Sequence, residues 1–519
     1  MARSTVLFVA HLEQDNLGIG YVASMLQLGG YKIVFSDVTQ QPGEILSQIK
    51  RHRPLIVGFS IIFQYQIHQY AELISYLRSA GVDCHFTAGG HFPSLRFKEN
   101  LEYVQGLDSI VLFEGEHTML ALANNLRNGG DWRRLRGMAF RSARGPRQTA
   151  LRKVERHLDH LPIPIRISTT STLGGLKVAS VLASRGCYYN CTYCSIRQFY
   201  TEAGGQLKRF RNPDAIVAEM KLLMQQDGYR VFLFQDDDFP MAGRFGRAWA
   251  NQFCDSLEQA GIHHRVIWKI SCRVNELDRD LLVRFSERGL FHVYLGIESG
   301  CDQSLREMNK KATSEGNLEA TQLLRELNMS CDYGFMLFEP SSTFASVAQN
   351  LEFLKTICSE GVYTVTFCKM LPYAGTEVER GLRAQGRLIG GLGLEDYRLL
   401  DPLLDHYSRT LLDACRGWIL DRNGVTSLAR SVQLNLTVRK RLKGNSRQIE
   451  RLANTAGELA AQSNRFLLDH AIDLLSLYSR GSEVPPHHLL SDFHRQVATA
   501  QASFARRMRQ LFERQASLV

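Results

Sequence analysis

Three cysteines stand in one short stretch, Arg185-Gly186-Cys187-Tyr188-Tyr189-Asn190-Cys191-Thr192-Tyr193-Cys194. Their spacing is C-x3-C-x2-C, close behind an apolar, strand-like run from Val178 to Leu182. Thiolates gathered in a tight loop are ligands for a soft metal or an iron–sulfur cluster. A four-iron cluster has four corners, and three local cysteines fill three of them. The fourth iron then stays open, as a catalytic metal keeps one position for substrate. A structural zinc ion would want a fourth Cys or His nearby, and His160 and His263 lie far along the chain. A disulfide framework fits no better. The eleven cysteines are scattered over 519 residues, with no regular spacing and no secretory leader.

Such a loop needs a rigid scaffold, and the following sequence alternates strands with helices. Strand patterns are read at Val178 to Leu182, Val231 to Phe234, Val266 to Ile270, His292 to Gly296, Asp332 to Phe338 and Thr364 to Met370. Helical patterns fall between them, one opened by Asn212-Pro213-Asp214, a cap followed by an early proline. About six β/α units over residues 177–380 predict a partial barrel, open more widely than an eight-fold one. Strand ends of such a barrel carry chemistry. They bear Asp236-Asp237-Asp238, then Ser271-Cys272-Arg273, then Gly296-Ile297-Glu298-Ser299-Gly300. Three adjacent carboxylates repel one another if buried, so some must meet water or a cation. An arginine suits a carboxylate, through two parallel hydrogen bonds.

Residues 1–145 show the same alternation, with strands at Val6 to Ala10, Lys32 to Ser36, Leu55 to Ser60, His85 to Gly90 and Ser109 to Phe113. This predicts a doubly wound, parallel, flavodoxin-like sheet. Ligands of such sheets bind at the carboxyl ends of the strands. Those ends carry Ser60, Gly89-Gly90 and Glu114-Gly115-Glu116, with Gly18 early in the first helix. Glycines there let a large ligand approach the backbone. Residues 146–176 read as a basic linker containing Pro162 and Pro164. The tract Ser168-Thr169-Thr170-Ser171-Thr172 reads as loop.

In residues 381–519 strand signals vanish and leucines recur at helical spacing, as in Leu452, Leu459, Leu467 and Leu474. An all-helical C-terminal domain is expected. The net charge is +10, much of it in Arg439, Lys440, Arg441, Lys443, Arg506, Arg507, Arg509 and Arg514. These runs read as solvated helix faces rather than a nucleic-acid surface. No stretch of eighteen apolar residues predicts a membrane span.

The strand, three-cysteine loop and following helix resemble the radical S-adenosylmethionine (AdoMet) superfamily. The flavodoxin-like sheet before them resembles the cobalamin-binding domain of its B12-dependent members, with Leu17-Gly18-Ile19-Gly20-Tyr21, Gly89-Gly90 and Glu-Gly-Glu in family order. The resemblance implies a [4Fe-4S] cluster on Cys187, Cys191 and Cys194, with AdoMet chelated at the open iron and split into methionine and a 5′-deoxyadenosyl radical. It implies Asp236, Asp237 and Asp238 near the AdoMet amino group and Arg273 at its carboxylate. Glu298 falls on the ribose side, and Tyr193 packs near the adenine. Gly18, Ser60, Gly89, Gly90, Glu114 and Glu116 are expected beside cobalamin. The D-x-H-x-x-G signature that donates a histidine to cobalt is absent, the segment being His11-Leu12-Glu13-Gln14-Asp15-Asn16-Leu17-Gly18. Cobalamin without its own base or a protein histidine beneath cobalt is implied, and Phe63-Gln64-Tyr65 is the loop expected at that face. The expected activity is a C-methyltransferase acting on an unactivated carbon of a small molecule. Radical ring closure or rearrangement, and a non-catalytic sensor, are the alternatives. A cytoplasmic setting and a flavodoxin- or ferredoxin-type electron donor follow from an oxygen-sensitive cluster.

Overall fold

A computed structural model describes residues 4–13, 15–167 and 171–516. Gln14 of the first loop and 168–170 of the expected linker loop lie outside the described residues.

The first sheet runs β1 (Thr5–Ala10), β2 (Lys32–Asp37), β3 (Ile56–Ser60), β4 (His85–Gly89), β5 (Ser109–Val111), β6 (Met138–Ser142) and β7 (Gly145–Gln148), in spatial order β2-β1-β3-β4-β5-β6-β7. β1 to β5 pair in parallel. Val6, Val9, Ile56, Val57 and Phe86 are fully or almost fully buried, because helices cover both faces. The first helix spans Leu17–Leu28, capped by Asn16, whose Oδ1 accepts from the Ile19 N–H at 3.2 Å. The sheet is not wholly parallel. β6 and β7 form an antiparallel hairpin on its edge. Their basic, Pro- and Gly-bearing sequence carries little strand signal. The boundary expected at 145 therefore falls inside a hairpin, and the sheet ends at Gln148.

The linker is not slack. Ser24 Oγ donates to the Ile163 carbonyl at 2.8 Å, and Ile165 N–H donates back to Ser24 Oγ at 2.9 Å. It folds over the first helix, where Gly20 leaves so little room that an added Cβ would lie 2.6 Å from the Ile165 carbonyl oxygen.

The second sheet follows β8 (Thr172–Leu173). It contains β9 (Leu176–Val181), β12 (Val231–Phe234), β13 (Ile267–Arg273), β14 (Leu290–Glu298), β15 (Ser330–Phe338) and β16 (Cys368–Lys369). Between β9 and β12, a two-stranded ribbon pairs β10 (Ser184–Gly186) with β11 (Lys208–Phe210). The order β16-β15-β14-β13-β12-β9-β8 is an open half-barrel with six parallel strands. The expected strand from Thr364 shrinks to two residues. Side chains of the C-terminal helices take its backbone instead. Asn464 accepts the Val365 N–H at 3.0 Å and Thr426 donates to the Val365 carbonyl at 2.9 Å.

Four helices close the chain: Pro402–Ile419, Val425–Lys443, Arg447–Arg480 and His487–Ala516. A short ribbon, β17 (Leu388–Ile389) with β18 (Asp396–Tyr397), precedes them, so strands persist past 381. The helices share one continuous apolar core with the barrel. The helix from Val425 to Lys443 also plugs the barrel floor, where Val438 and Leu434 meet Val178, Val231, Ile267 and Phe291. Its basic run is therefore not all solvated. Arg439 is buried, and Arg441 donates to Ser286 Oγ at 3.0 Å.

Candidate functional site

The two sheets face each other at their carboxyl ends, and three contacts lock that arrangement. Asp15, behind β1, accepts the Ser180 N–H of β9 at 3.0 Å. Gln64, behind β3, accepts the Ala374 N–H at 3.0 Å and donates to Glu395 at 3.0 Å. Arg185 pairs with Glu114 at 3.1 Å and Glu116 at 2.8 Å, while Arg209 reaches Glu114 at 2.5 Å. All four of these side chains are nearly buried. Burial raises the Glu114 carboxyl, but the guanidiniums of Arg185 and Arg209 outweigh it and hold the pKa below the ordinary range. Glu114 and Glu116, expected beside cobalamin, thus also clamp the first sheet to the β10–β11 ribbon.

Cys187, Cys191 and Cys194 lie half-buried between β10 and the Ser195–Glu202 helix, all as free thiols. Among the described residues no three His, Cys, Asp or Glu side chains converge on a single ion. Three cysteines at this spacing in one loop are the donor set of an iron–sulfur cluster with one open iron. Burial, with Asp238 adding to it, pushes Cys187 up to about 12. Burial pushes Cys194 up to about 11. Thiols in that state need a cation to become ligands, which a cluster's iron supplies.

Arg273 ends β13 beside this loop. Its Nη1 donates to Cys191 Sγ at 3.1 Å, and the guanidinium lies 3.8 Å above the Tyr189 ring. Its Nε and Nη2 are buried without a partner. An arginine with two free, buried donors beside an iron–sulfur loop fits an incoming carboxylate. Glu298 ends β14 at a bulge in its pairing with β15, with φ +69°. A non-glycine residue in that conformation is held by its surroundings. Lys310 does so, donating to Glu298 at 3.0 Å and lying 3.4 Å from Tyr193 Oη. Tyr193 packs against a methionine cluster of Met308, Met336 and Met370.

The three aspartates separate into different tasks. Asp236 is buried and accepts from Ser184 Oγ at 2.6 Å and the Ala183 N–H at 3.1 Å. Burial, offset in part by those bonds, pushes it up to about 7. It shapes the strand before the cysteines rather than facing a ligand. Asp238 pairs with Lys208 at 2.8 Å. Only Asp237 is exposed, and it accepts the Gly186 N–H at 2.9 Å, next to Cys187. So the repulsion is relieved by one cation, one solvated position and backbone donors. Glu276, on the rim after β13, was not legible as a site residue. It accepts from Tyr189 Oη at 2.7 Å, and burial together with Asp238 raises it to about 8.

At the opposing edge, Ser60, Gly89 and Gly90 stand at neighbouring strand ends, and Gly18 lies in the first turn of the Leu17–Leu28 helix. Asn16 Nδ2 donates to Ser60 Oγ at 3.4 Å. Gly90 has φ +117°, and a Cβ there would stand 2.3 Å from the Ile61 carbonyl oxygen. The β3 and β4 ends therefore touch backbone to backbone. His11 Nε2 is buried without a partner just beyond β1. This glycine cradle with an unsatisfied donor or acceptor fits a bulky ligand edged with amides, as cobalamin is. His91, after Gly90, is stacked on Phe199 at 4.1 Å, and burial lowers it to about 4. In the loop after β3, Phe63 and Tyr65 are exposed and stacked at 5.5 Å. Gln64 between them turns away, into the domain contact.

Comparison with known proteins matches this division. Residues 3–123 match the B12 binding domain, and residues 181–354 match the radical SAM superfamily. The chain is 26% identical to the anaerobic magnesium-protoporphyrin IX monomethyl ester cyclase of Rubrivivax gelatinosus, covering 62% of this chain and 58% of that protein. It is 23% identical to the hopanoid C-3 methylase of Methylococcus capsulatus, covering 75% and 72%. Among solved structures it superposes on the cobalamin-dependent S-adenosylmethionine radical enzyme OxsB, with aqua-cobalamin and S-adenosylmethionine bound. The TM-score is 0.70 at 16% identity, over 99% of this chain and 84% of that one. The chain thus carries a B12 binding domain followed by a radical SAM superfamily domain, on a fold it shares almost end to end with OxsB.

Proposed function

We propose that this enzyme methylates an unactivated carbon of a small molecule held between the two sheet edges. The observation that carries the reading is the clamp of Arg185 and Arg209 on Glu114. It fixes the B12-binding edge against the mouth of the cysteine-bearing barrel, so that both cofactors serve one space. When bound, the cluster with AdoMet supplies hydrogen abstraction and cobalamin supplies the methyl group, chemistry suited to a carbon too weakly acidic for general-base catalysis. This chain's residues then hold and orient. Cys187, Cys191 and Cys194 carry the cluster. Arg273 receives the methionine carboxylate, Glu298 the ribose side and Asp237 the amino group. Gly18, Ser60, Gly89 and Gly90 admit cobalamin. A flavodoxin- or ferredoxin-type protein serves as reductant, and the oxygen-sensitive cluster places the enzyme in the cytoplasm. Among the described residues no helix is long and apolar enough to cross a membrane.

The likeness to a hopanoid methylase supports methyl transfer. The likeness to an anaerobic cyclase gives ring formation as the second reading. Methyl-deuterated AdoMet separates them. Reconstituted, reduced enzyme should yield S-adenosylhomocysteine and 5′-deoxyadenosine in about equal amounts with a labelled product. An unlabelled product, formed with deoxyadenosine alone, would assign ring formation instead.

A further inference from the structure

Below the cysteines the half-barrel has a polar interior. Along β13, Trp268, Ile270 and Cys272 are buried against the helices, whereas Lys269, Ser271 and Arg273 face the lumen. β13 and β14 pair Lys269 with His292, Ser271 with Tyr294 and Arg273 with Gly296. In parallel pairs, registered residues share a face, so Tyr294 also points inward. Tyr294 is 38% exposed although it lies in a central strand, which marks the lumen as open. Two donors there have nothing to bind. Neither Lys269 Nζ nor Tyr294 Oη has a hydrogen bond or ion pair among the described residues, and Lys269 Nζ lies 5.6 Å from the centre of the Tyr294 ring.

The other charged groups around this point are already matched. Asp332 pairs with Arg430 at 3.1 Å and lies 3.5 Å from His292. Glu298 is taken by Lys310. Burial lowers the Lys269 pKa, with Asp332 working against it. A half-buried ammonium without a hydrogen bond or ion pair is open to an anionic ligand. Beneath it the apolar plug of Ile267, Phe291 and Val438 closes the floor. Lys269 lies four positions before Arg273, about 13 Å at the strand rise of ~3.3 Å per residue. That leaves room for the anionic end of a small molecule below the AdoMet-binding level, its reacting end reaching the space between the two sheet edges.

We propose that Lys269 and Tyr294 form the substrate's anion site: the substrate carries a carboxylate or phosphate, which this pair holds at the barrel floor while its reacting carbon points up toward the cysteines. The inference rests on the enzymatic reading above and deepens it by naming a substrate class.

Site-resolved labelling tests it. Cluster-reconstituted, cobalamin-loaded protein is treated with acetic anhydride in chloride, acetate or inorganic phosphate at one ionic strength, and acetylation is mapped by mass spectrometry. Exposed Lys440 is the reference. Labelling of Lys269 should slow several-fold in one anion arm while Lys440 is unaffected. The acetate arm identifies a carboxylate site and the phosphate arm a phosphate site. Tyr294→Phe should weaken the protection. The proposal is overturned if Lys269 is unlabelled in chloride, if neither anion protects it, or if Lys440 is protected equally. Iron, cobalamin and AdoMet cleavage measured on the same sample report the enzymatic reading separately. Loss of those with protection intact would sink that reading and leave the anion site standing.

Discussion

Arg273 Nη1 donates to Cys191 Sγ across 3.1 Å, while its other two nitrogens are buried and free. One side chain thus touches a cluster ligand and offers a fork to a second group. A hydrogen bond to a cluster sulfur raises the reduction potential, and a charged donor is worth ~1.5–3 kcal/mol. Arg273→Ala should shift the cluster midpoint to a more negative value and weaken AdoMet binding roughly ten-fold or more. Potentiometry followed by electron paramagnetic resonance, and AdoMet titration, read the two effects. An unchanged midpoint and an unchanged affinity would remove both roles from Arg273.

Replacing Cys187, Cys191 and Cys194 together by Ala should abolish the visible absorption of the cluster and AdoMet cleavage. The fold should survive, because the loop is half-buried and the barrel core lies elsewhere. Iron analysis and circular dichroism check this. Four irons retained per chain would refute the assignment.

Cobalamin should bind without a protein histidine on cobalt. His91 is stacked on Phe199, and the segment after β1 lacks the ligand-donating motif. The cob(II)alamin form should show no nitrogen hyperfine splitting from an axial ligand. Such splitting, abolished in His11→Ala, would assign His11 to cobalt instead.

Glu114→Gln should lower stability by about 3 kcal/mol, since breaking a buried pair strands the guanidiniums of Arg185 and Arg209. The sign of the pH dependence follows from the lowered Glu114 pKa. Its contribution is complete above the ordinary carboxylate pKa and is lost as pH falls through the lower, folded value. Wild type should therefore lose its advantage over Glu114→Gln in acid. Urea unfolding followed at several pH values measures the gap, and a gap that widens toward acid would contradict the clamp.

Local chemistry was legible in the sequence. The cysteine spacing, the strand-ending Gly89-Gly90 and the alternation of strand and helix are properties of neighbouring residues, and the structure keeps them in place. The Val231–Phe234 strand has the bounds its pattern predicts. What only the tertiary structure decided are partnerships between residues far apart in the chain. Glu114 and Glu116 sit at a strand end, where a ligand is expected, and Arg185 and Arg209 arrive from the β10–β11 ribbon to pair with them. Lys310 and Glu276 carry no local signal, and their roles exist only because β14 brings Glu298 to Lys310 and the turn after β13 brings Glu276 to Tyr189 of the cysteine loop. The polar barrel interior has the same origin. Lys269 reads as an ordinary strand lysine until the half-barrel sets it beside the Tyr294 ring with no hydrogen bond or ion pair among the described residues. A side chain's neighbours within a few residues are set by the backbone's period. Which buried charges meet is set by how the sheets pack, and burial makes an unmatched charge costly enough to matter.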